Sequence, residues 1–234
     1  LRIARFAARF ADLGFTVAPE TQQLMQQIVK AGELHALTAE RVWKEVERAL
    51  GEKSPLAFFV ELANCQALSQ LWPFLDISGV AATALTQASA TSTATVVRFA
   101  ALLHAITVAD LNFFSKRYRV PKIYRALAYI VIKYHLTMLN FAKLSPTAIV
   151  ELFINLDAFR RYERFLQFLE CCQILAKIYH KTTFSVDDVM QAYVIAKPVN
   201  ISSLIKPSSN DAMAAQIKAQ RVSALAKWLK QRPL

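Results

Sequence analysis

Arg2, Arg5 and Arg9 stand three and four residues apart, so a helix through them sets three guanidinium groups on one face, opposite Ile3, Phe6 and Phe10. Such a row suits phosphates or a nucleotide; the plainer alternative is a solvated amphipathic face, and the residues alone leave both open. Arg41 and Glu45, at i and i+4, suit an ion pair that contributes only ~0.3–0.5 kcal/mol when exposed. The strongest local charge is the run Lys116, Arg117, Arg119, Lys122 and Arg125, interleaved with Tyr118 and Tyr124, and no acidic residue between 111 and 150 offsets it. Phosphates bound there would release counterions, so binding should weaken as salt rises. The tyrosines could stack on bases, although packing is the commoner fate of tyrosines on helix faces. Arg160, Arg161 and Arg164 form a second basic patch, and Lys218, Arg221, Lys227 and Lys230 decorate the last helix; a solvated basic surface is the plainer reading of both. His104 and His135 are the metal-ligand candidates worth weighing. Each lies in an apolar run without a neighbouring carboxylate, which favours a packed, hydrogen-bonded histidine over a ligand. The seven aspartates are dispersed with no D-x-D, and no serine or cysteine has the context of a nucleophile.

The elements that must hold these residues read as helices. Of 234 residues 55% are hydrophobic and only 4 are Gly, against roughly 16 at the usual ~7%, and no G-x-G occurs. Phosphate loops and dinucleotide fingerprints are thereby excluded within this chain. The spacing predicts a first helix ending at Gly14, a second restarting at Ala18-Pro19-Glu20-Thr21, a third from Ala39 to Leu50 and a fourth opened by Ser54-Pro55. A small-residue tract, Thr83 to Thr95, reads as low complexity, and long apolar helices follow over Val96 to Ala109 and Tyr124 to Asn140. Pro146 to Leu156, Tyr162 to Tyr179, a start at Ser185-Val186-Asp187-Asp188 and a final helix from Asp211 to Gln231 complete the set, with breaks at Pro198 and at Pro207 to Asn210. Lys and Arg number 28 against 17 Asp and Glu, a net +11. Residues 1–75 carry 8 of each sign; residues 76–150 carry 8 basic and 2 acidic; residues 151–234 carry 12 and 7. An acidic partner is expected, nucleic acid before membrane, because the longest apolar stretch contains Arg125, Lys133 and His135. Cys65 and the adjacent Cys171 and Cys172 read as reduced and cytosolic, without the spacing of a zinc site. Composition and spacing therefore point to a basic, all-α, RNA-binding chain without an evident active site. It opens at Leu1, in helix-forming sequence, as a trimmed piece of something longer would.

Particular residues narrow this further. The opening Leu1-Arg2-Ile3-Ala4-Arg5-Phe6-Ala7-Ala8-Arg9-Phe10, then Leu13-Gly14-Phe15, Ala31-Gly32-Glu33-Leu34, Glu40-Arg41-Val42-Trp43-Lys44-Glu45, Asn64-Cys65-Gln66-Ala67-Leu68 and Leu71-Trp72-Pro73, resemble the neck of bacterial class II CCA-adding tRNA nucleotidyltransferases. Thinner similarity continues through Val97-Arg98-Phe99-Ala100, Arg119-Val120-Pro121 and Thr147-Ala148-Ile149-Val150.

The resemblance implies an elongated all-α chain with a helical neck at 1–75, an HD-like body at 76–150 and a helical tail at 151–234. It implies an enzyme that adds or repairs the 3′-terminal CCA of tRNA. The catalytic head, with its Mg²⁺ and its CTP or ATP, is expected to lie outside this chain, which would bind none of them and supply tRNA binding and positioning. Arg2, Arg5, Arg41 and Glu45 are then expected to support the nucleotide pocket. By position only, tRNA contacts fall to Lys116, Arg117, Arg119, Lys122, Arg125, Arg160, Arg161, Arg164, Lys227 and Lys230. Where an HD phosphohydrolase holds metal on His-Asp pairs, this chain reads His104-Ala105 and His135-Leu136, so His104 and His135 are expected to be vestigial and phosphohydrolase activity absent. No membrane or DNA partner is expected, and the location is expected to be cytoplasmic. The alternative is a stand-alone, non-catalytic RNA-binding protein with a dead HD-type fold.

Overall fold

The structure, a computed structural model, describes residues 1–199 and 209–231. The expected break at Pro207 and Ser208 lies outside the described residues. Thirteen α-helices and no strand occur among them: α1 Arg2–Phe10, α2 Pro19–Lys30, α3 Ala39–Gly51, α4 Pro55–Asn64, α5 Ala67–Leu71, α6 Val80–Thr91, α7 Thr95–Leu102, α8 Val108–Arg117, α9 Lys122–Leu139, α10 Pro146–Asn155, α11 Tyr162–Ile178, α12 Val186–Ala196 and α13 Asn210–Gln231. Proline opens α2, α4 and α10, where its missing N–H costs nothing. Ser145 and Ser185 cap α10 and α12 by accepting from the Ala148 and Asp188 amides. Gly14, at φ 79°, ends the short 3₁₀ turn after α1 in the left-handed conformation that glycine adopts without strain.

α7 is the pivot. Every residue from Val96 to Leu102 is buried, and the helix packs against α3, α6, α9 and α11. An aromatic cluster of Trp43, Phe99, Phe114 and Tyr124 joins the early helices to the middle ones through edge-on and tilted contacts 4.8–5.9 Å apart. α13 lies across α10 and α12, with Leu225 buried. Within α7, Arg98 is 6% exposed and pairs with no carboxylate among the described residues. Its guanidinium donates to the carbonyls of Leu50 (2.7 Å) and Glu52 (2.9 Å) at the end of α3, and of Ser89 (3.2 Å) and Ser92 (2.8 Å) at the end of α6. Two helix C-termini, each the negative end of a dipole, therefore share one cation.

Three expectations are corrected. The run Val96 to Ala109 is two helices, because Thr107 and Asp110 form a capping box that starts α8: Asp110 N–H donates to the Thr107 hydroxyl oxygen at 3.1 Å, and the Thr107 backbone N–H donates back to the Asp110 carboxylate at 3.3 Å. Most of the tract from Thr83 to Thr95 is not featureless but lies in α6, whose Ala81, Ala84, Leu85 and Ala88 recur at helical spacing and are buried. Most consequentially, α1 faces the other way. Ala4, Arg5 and Ala8 are buried, while Ile3, Phe6 and Phe10 are 37%, 43% and 40% exposed. Half-buried carboxylates on and just after α3 cause this: Arg5 pairs with Glu45 at 2.8 Å and lies 3.6 Å from Glu52, which also holds Arg9 at 3.0 Å. Glu45 accordingly goes to Arg5, with Arg48 at 3.9 Å, and not to Arg41. An arginine N-terminal to its glutamate is the weaker i,i+4 order, and Arg5 arrives already desolvated.

Candidate nucleic-acid interface

One residue of the Lys116–Arg125 run, Lys122, meets the basic patch some forty residues later in the chain at one groove. The N-terminus of α9 brings Lys122, and the N-terminus of α11 with the turn before it brings Arg160, Arg161 and Arg164. The cavity between them measures about 680 Å³, within the range of small-ligand clefts. Ile123, 57% exposed, and Tyr162, 41% exposed, give it apolar and aromatic walls. Lys122 and Arg125 stand in the first turn of α9, which has no acidic residue, so both sit where the helix dipole disfavours a cation. Local stability does not account for that placement; an anion arriving in the groove would.

The turn into α11 has its own logic. α10 ends at Asn155, and Asp157 turns the chain at φ 53°, a left-handed conformation that Asp tolerates better than most residues. Its carboxylate accepts from Arg161 at 2.9 Å and lies 3.8 Å from Arg164 and 4.0 Å from Arg160. One negative charge thus gathers three positive ones and leaves the patch cationic. Arg164 also donates to the Leu156 carbonyl at 3.0 Å. Burial pulls its pKa down, with Arg161 adding to the effect and Asp157 opposing it.

Among the described residues Lys116, Arg117, Lys122 and Arg125 make no ion pair, and all four are exposed. Arg119, in a left-handed turn at φ 52°, pairs with Glu40 of α3. Tyr118 and Tyr124, weighed as stacking residues, are packed: Tyr118 donates to the Leu71 carbonyl at 3.1 Å, and Tyr124 donates to Glu47 at 2.9 Å. Lys227 and Lys230 are exposed on α13 and do not line the groove. Arg2 and Arg41 are exposed, whereas Arg5 and Glu45 engage each other, so the expected nucleotide-supporting quartet does not present a common set of free groups. Tyr162 and Ile123 were not singled out from the sequence, although Arg160-Arg161-Tyr162 places an aromatic directly beside two guanidinium groups.

His104 and His135 come together away from the groove, with ring centroids 5.5 Å apart. His104 Nδ1 lies 2.8 Å from the Ala101 carbonyl, so it carries the proton, and Nε2 accepts from the Tyr179 hydroxyl at 2.9 Å. His135 Nδ1 likewise donates to the Val131 carbonyl at 2.8 Å. Burial, with His135 adding to it, pulls His104 down to about 4. Among the described residues no group of three or more His, Cys, Asp or Glu side chains could hold a metal ion. Tyr179 packs against both rings, and its hydroxyl occupies the His104 Nε2 lone pair that a metal would need. The three cysteines are buried and free; burial pushes the thiols up, leaving them unreactive. No helix among the described residues is long and apolar enough to cross a membrane.

A family model described as a probable RNA and SrmB-binding site of polymerase A matches residues 14–78. A CCA-adding enzyme of Pseudomonas putida is 38% identical over 226 residues, covering 96% of this chain and 61% of that protein. A CCA-adding enzyme of Coxiella burnetii is 32% identical, covering 96% of this chain and 59% of its own length. Among solved structures, a CCA-adding enzyme in complex with ATP superposes with a TM-score of 0.62 at 17% identity, over 95% of this chain and 55% of that one, a likeness of fold. Nearly the whole sequence is thus similar to that of CCA-adding enzymes, and the chain spans about three fifths of the length of these relatives.

Proposed function

We propose that this chain is the tRNA-binding and tRNA-positioning part of a CCA-adding enzyme, with residues 1–75 as neck, 76–150 as a degenerate HD-like body and 151–234 as tail. The observation that carries the proposal is the groove at which the N-termini of α9 and α11 bring together Lys122, Arg160 and Arg161, with Arg125 in the same first turn of α9. Phosphate contacts from such a surface supply affinity and register without reading sequence, which is what an enzyme acting on every tRNA requires. Lys116, Arg117, Lys227 and Lys230 extend the cationic field and steer the approach. CTP, ATP and Mg²⁺ are held outside this chain, so alone it incorporates no nucleotide. It acts in the cytoplasm, where tRNA is matured.

The test is fluorescence anisotropy of labelled tRNA between 50 and 200 mM NaCl. Four phosphate contacts give a slope of roughly −3 in log affinity against log salt, a loss of about 60-fold over that range. Charge reversal of Lys122, Arg125, Arg160 and Arg161 together is expected to flatten the slope to near zero. Affinity that ignores salt, or a reversed variant that binds like the parent, overturns the assignment of this groove.

A further inference from the structure

Tyr162 is the outermost member of a stack of flat groups. Its ring lies on that of Tyr193, with centroids 5.5 Å apart and planes at 26°. Tyr193 lies on Phe159 at 5.6 Å and 15°, and the Arg221 guanidinium sits 3.6 Å from the Phe159 ring centroid. The buried end of the ladder is fixed by packing, because Tyr193 is 3% exposed and also touches Phe153 and Phe165. Tyr162 itself is 41% exposed and lines the basic groove. The Lys197 ammonium is 6.0 Å from the Tyr162 centroid and 5.9 Å from that of Tyr193, nearly equidistant from the two rings, and Tyr162 keeps exposed surface toward the groove. A ring held by a rigid stack loses little entropy when a further flat group settles on it.

Resting on the reading of the groove as an RNA surface, we infer that Tyr162 is a stacking platform for one unpaired nucleobase, whose flanking phosphates are held by Lys122, Arg160 and Arg161. The chemistry selects a single strand. In a duplex both faces of each base are already stacked, whereas an unpaired base offers a free face to an aromatic ring. The groove volume of about 680 Å³ admits a nucleotide, and Ile123 on the opposite wall supplies apolar contact.

The experiment compares two probes with the full chain: a fluorescein-labelled 12-nucleotide single-stranded RNA, and the same strand annealed to its complement. Tyr162→Ala is expected to weaken single-strand binding about tenfold, to leave duplex binding within twofold and to leave the salt slope unchanged. Tyr162→Phe and Tyr162→Trp retain single-strand affinity, since both keep the ring. If Tyr162→Ala binds the single strand like the parent, loses both probes equally, or shares its loss with Tyr162→Phe, the platform is overturned while the electrostatic groove stands. A parent chain that binds neither probe overturns the RNA reading of the groove and the platform with it.

Discussion

Arg98→Met is expected to lower the stability of the chain by about 3–5 kcal/mol and its melting midpoint by about 10 °C. The methylene stem would still fill its space, so the cost is electrostatic. The carbonyls of Leu50, Glu52, Ser89 and Ser92 lose their donor at once, at the ends of two helices whose last carbonyls have no partner within the helix. Burial pulls the Arg98 pKa down, yet arginine stays ionised at any ordinary pH, so the clamp does not switch with pH. Arg98→Lys is expected to recover only part of the loss, because one ammonium cannot span four acceptors arranged around a planar fork. Thermal unfolding followed by circular dichroism measures both. A Met variant within 1 kcal/mol of the parent would show that water replaces the guanidinium without penalty.

Acidification supplies the second large effect. His104 titrates near 4 in the folded chain against 6.5 when exposed, so between those values the unfolded chain binds a proton that the folded one refuses. Stability from this group is therefore complete above about pH 6.5 and drains away as pH falls toward 4. At ~1.4 kcal/mol per pH unit the full loss is about 3 kcal/mol. His135, also pulled down by burial, adds in the same direction. Among the described residues the hydrogen-bond partners of the pair bring no compensating charge: they are the Tyr179 hydroxyl and backbone carbonyls. Urea titrations at pH 7, 6 and 5 read the slope. His104→Gln, which cannot take a proton, is expected to be less stable than the parent at pH 7 and to converge with it at pH 5. Parallel curves for the two proteins would place the acid sensitivity elsewhere.

Helix positions were largely legible in the chain itself because their signals are local. Pro19, Pro55, Pro146, Gly14 and Ser185 mark starts and stops that the structure keeps. The break inside Val96 to Ala109 was missed because hydropathy runs through it unaltered, and the only mark is the polar pair Thr107 and Asp110. The site was half legible. Charge density drew attention to Lys122, Arg125, Arg160 and Arg161, but nothing local says that a groove joins Lys122 to the arginines before α11, since that is a property of how α9 packs on α11. The fates of the tyrosines were likewise set by tertiary contacts. Tyr118 and Tyr124 lie in a basic run and are buried, whereas Tyr162 is left in the open by the stack beneath it.

The reversed orientation of α1 changes which substitutions the chain can absorb. On a hydropathy plot Phe6 and Phe10 look indispensable and Arg5 looks replaceable; the packing says the opposite. Phe6 and Phe10 are 43% and 40% exposed and touch Arg5, Phe15 and each other, so polar residues there are expected to cost less than the loss of Arg5. Arg5→Leu, which would seem conservative for a buried helix position, leaves Glu45 with the more distant Arg48 and Glu52 with Arg9. Sequence drift at this helix is thus filtered by charge, and an engineer seeking a more soluble chain has more latitude at Phe6 and Phe10 than at Arg5.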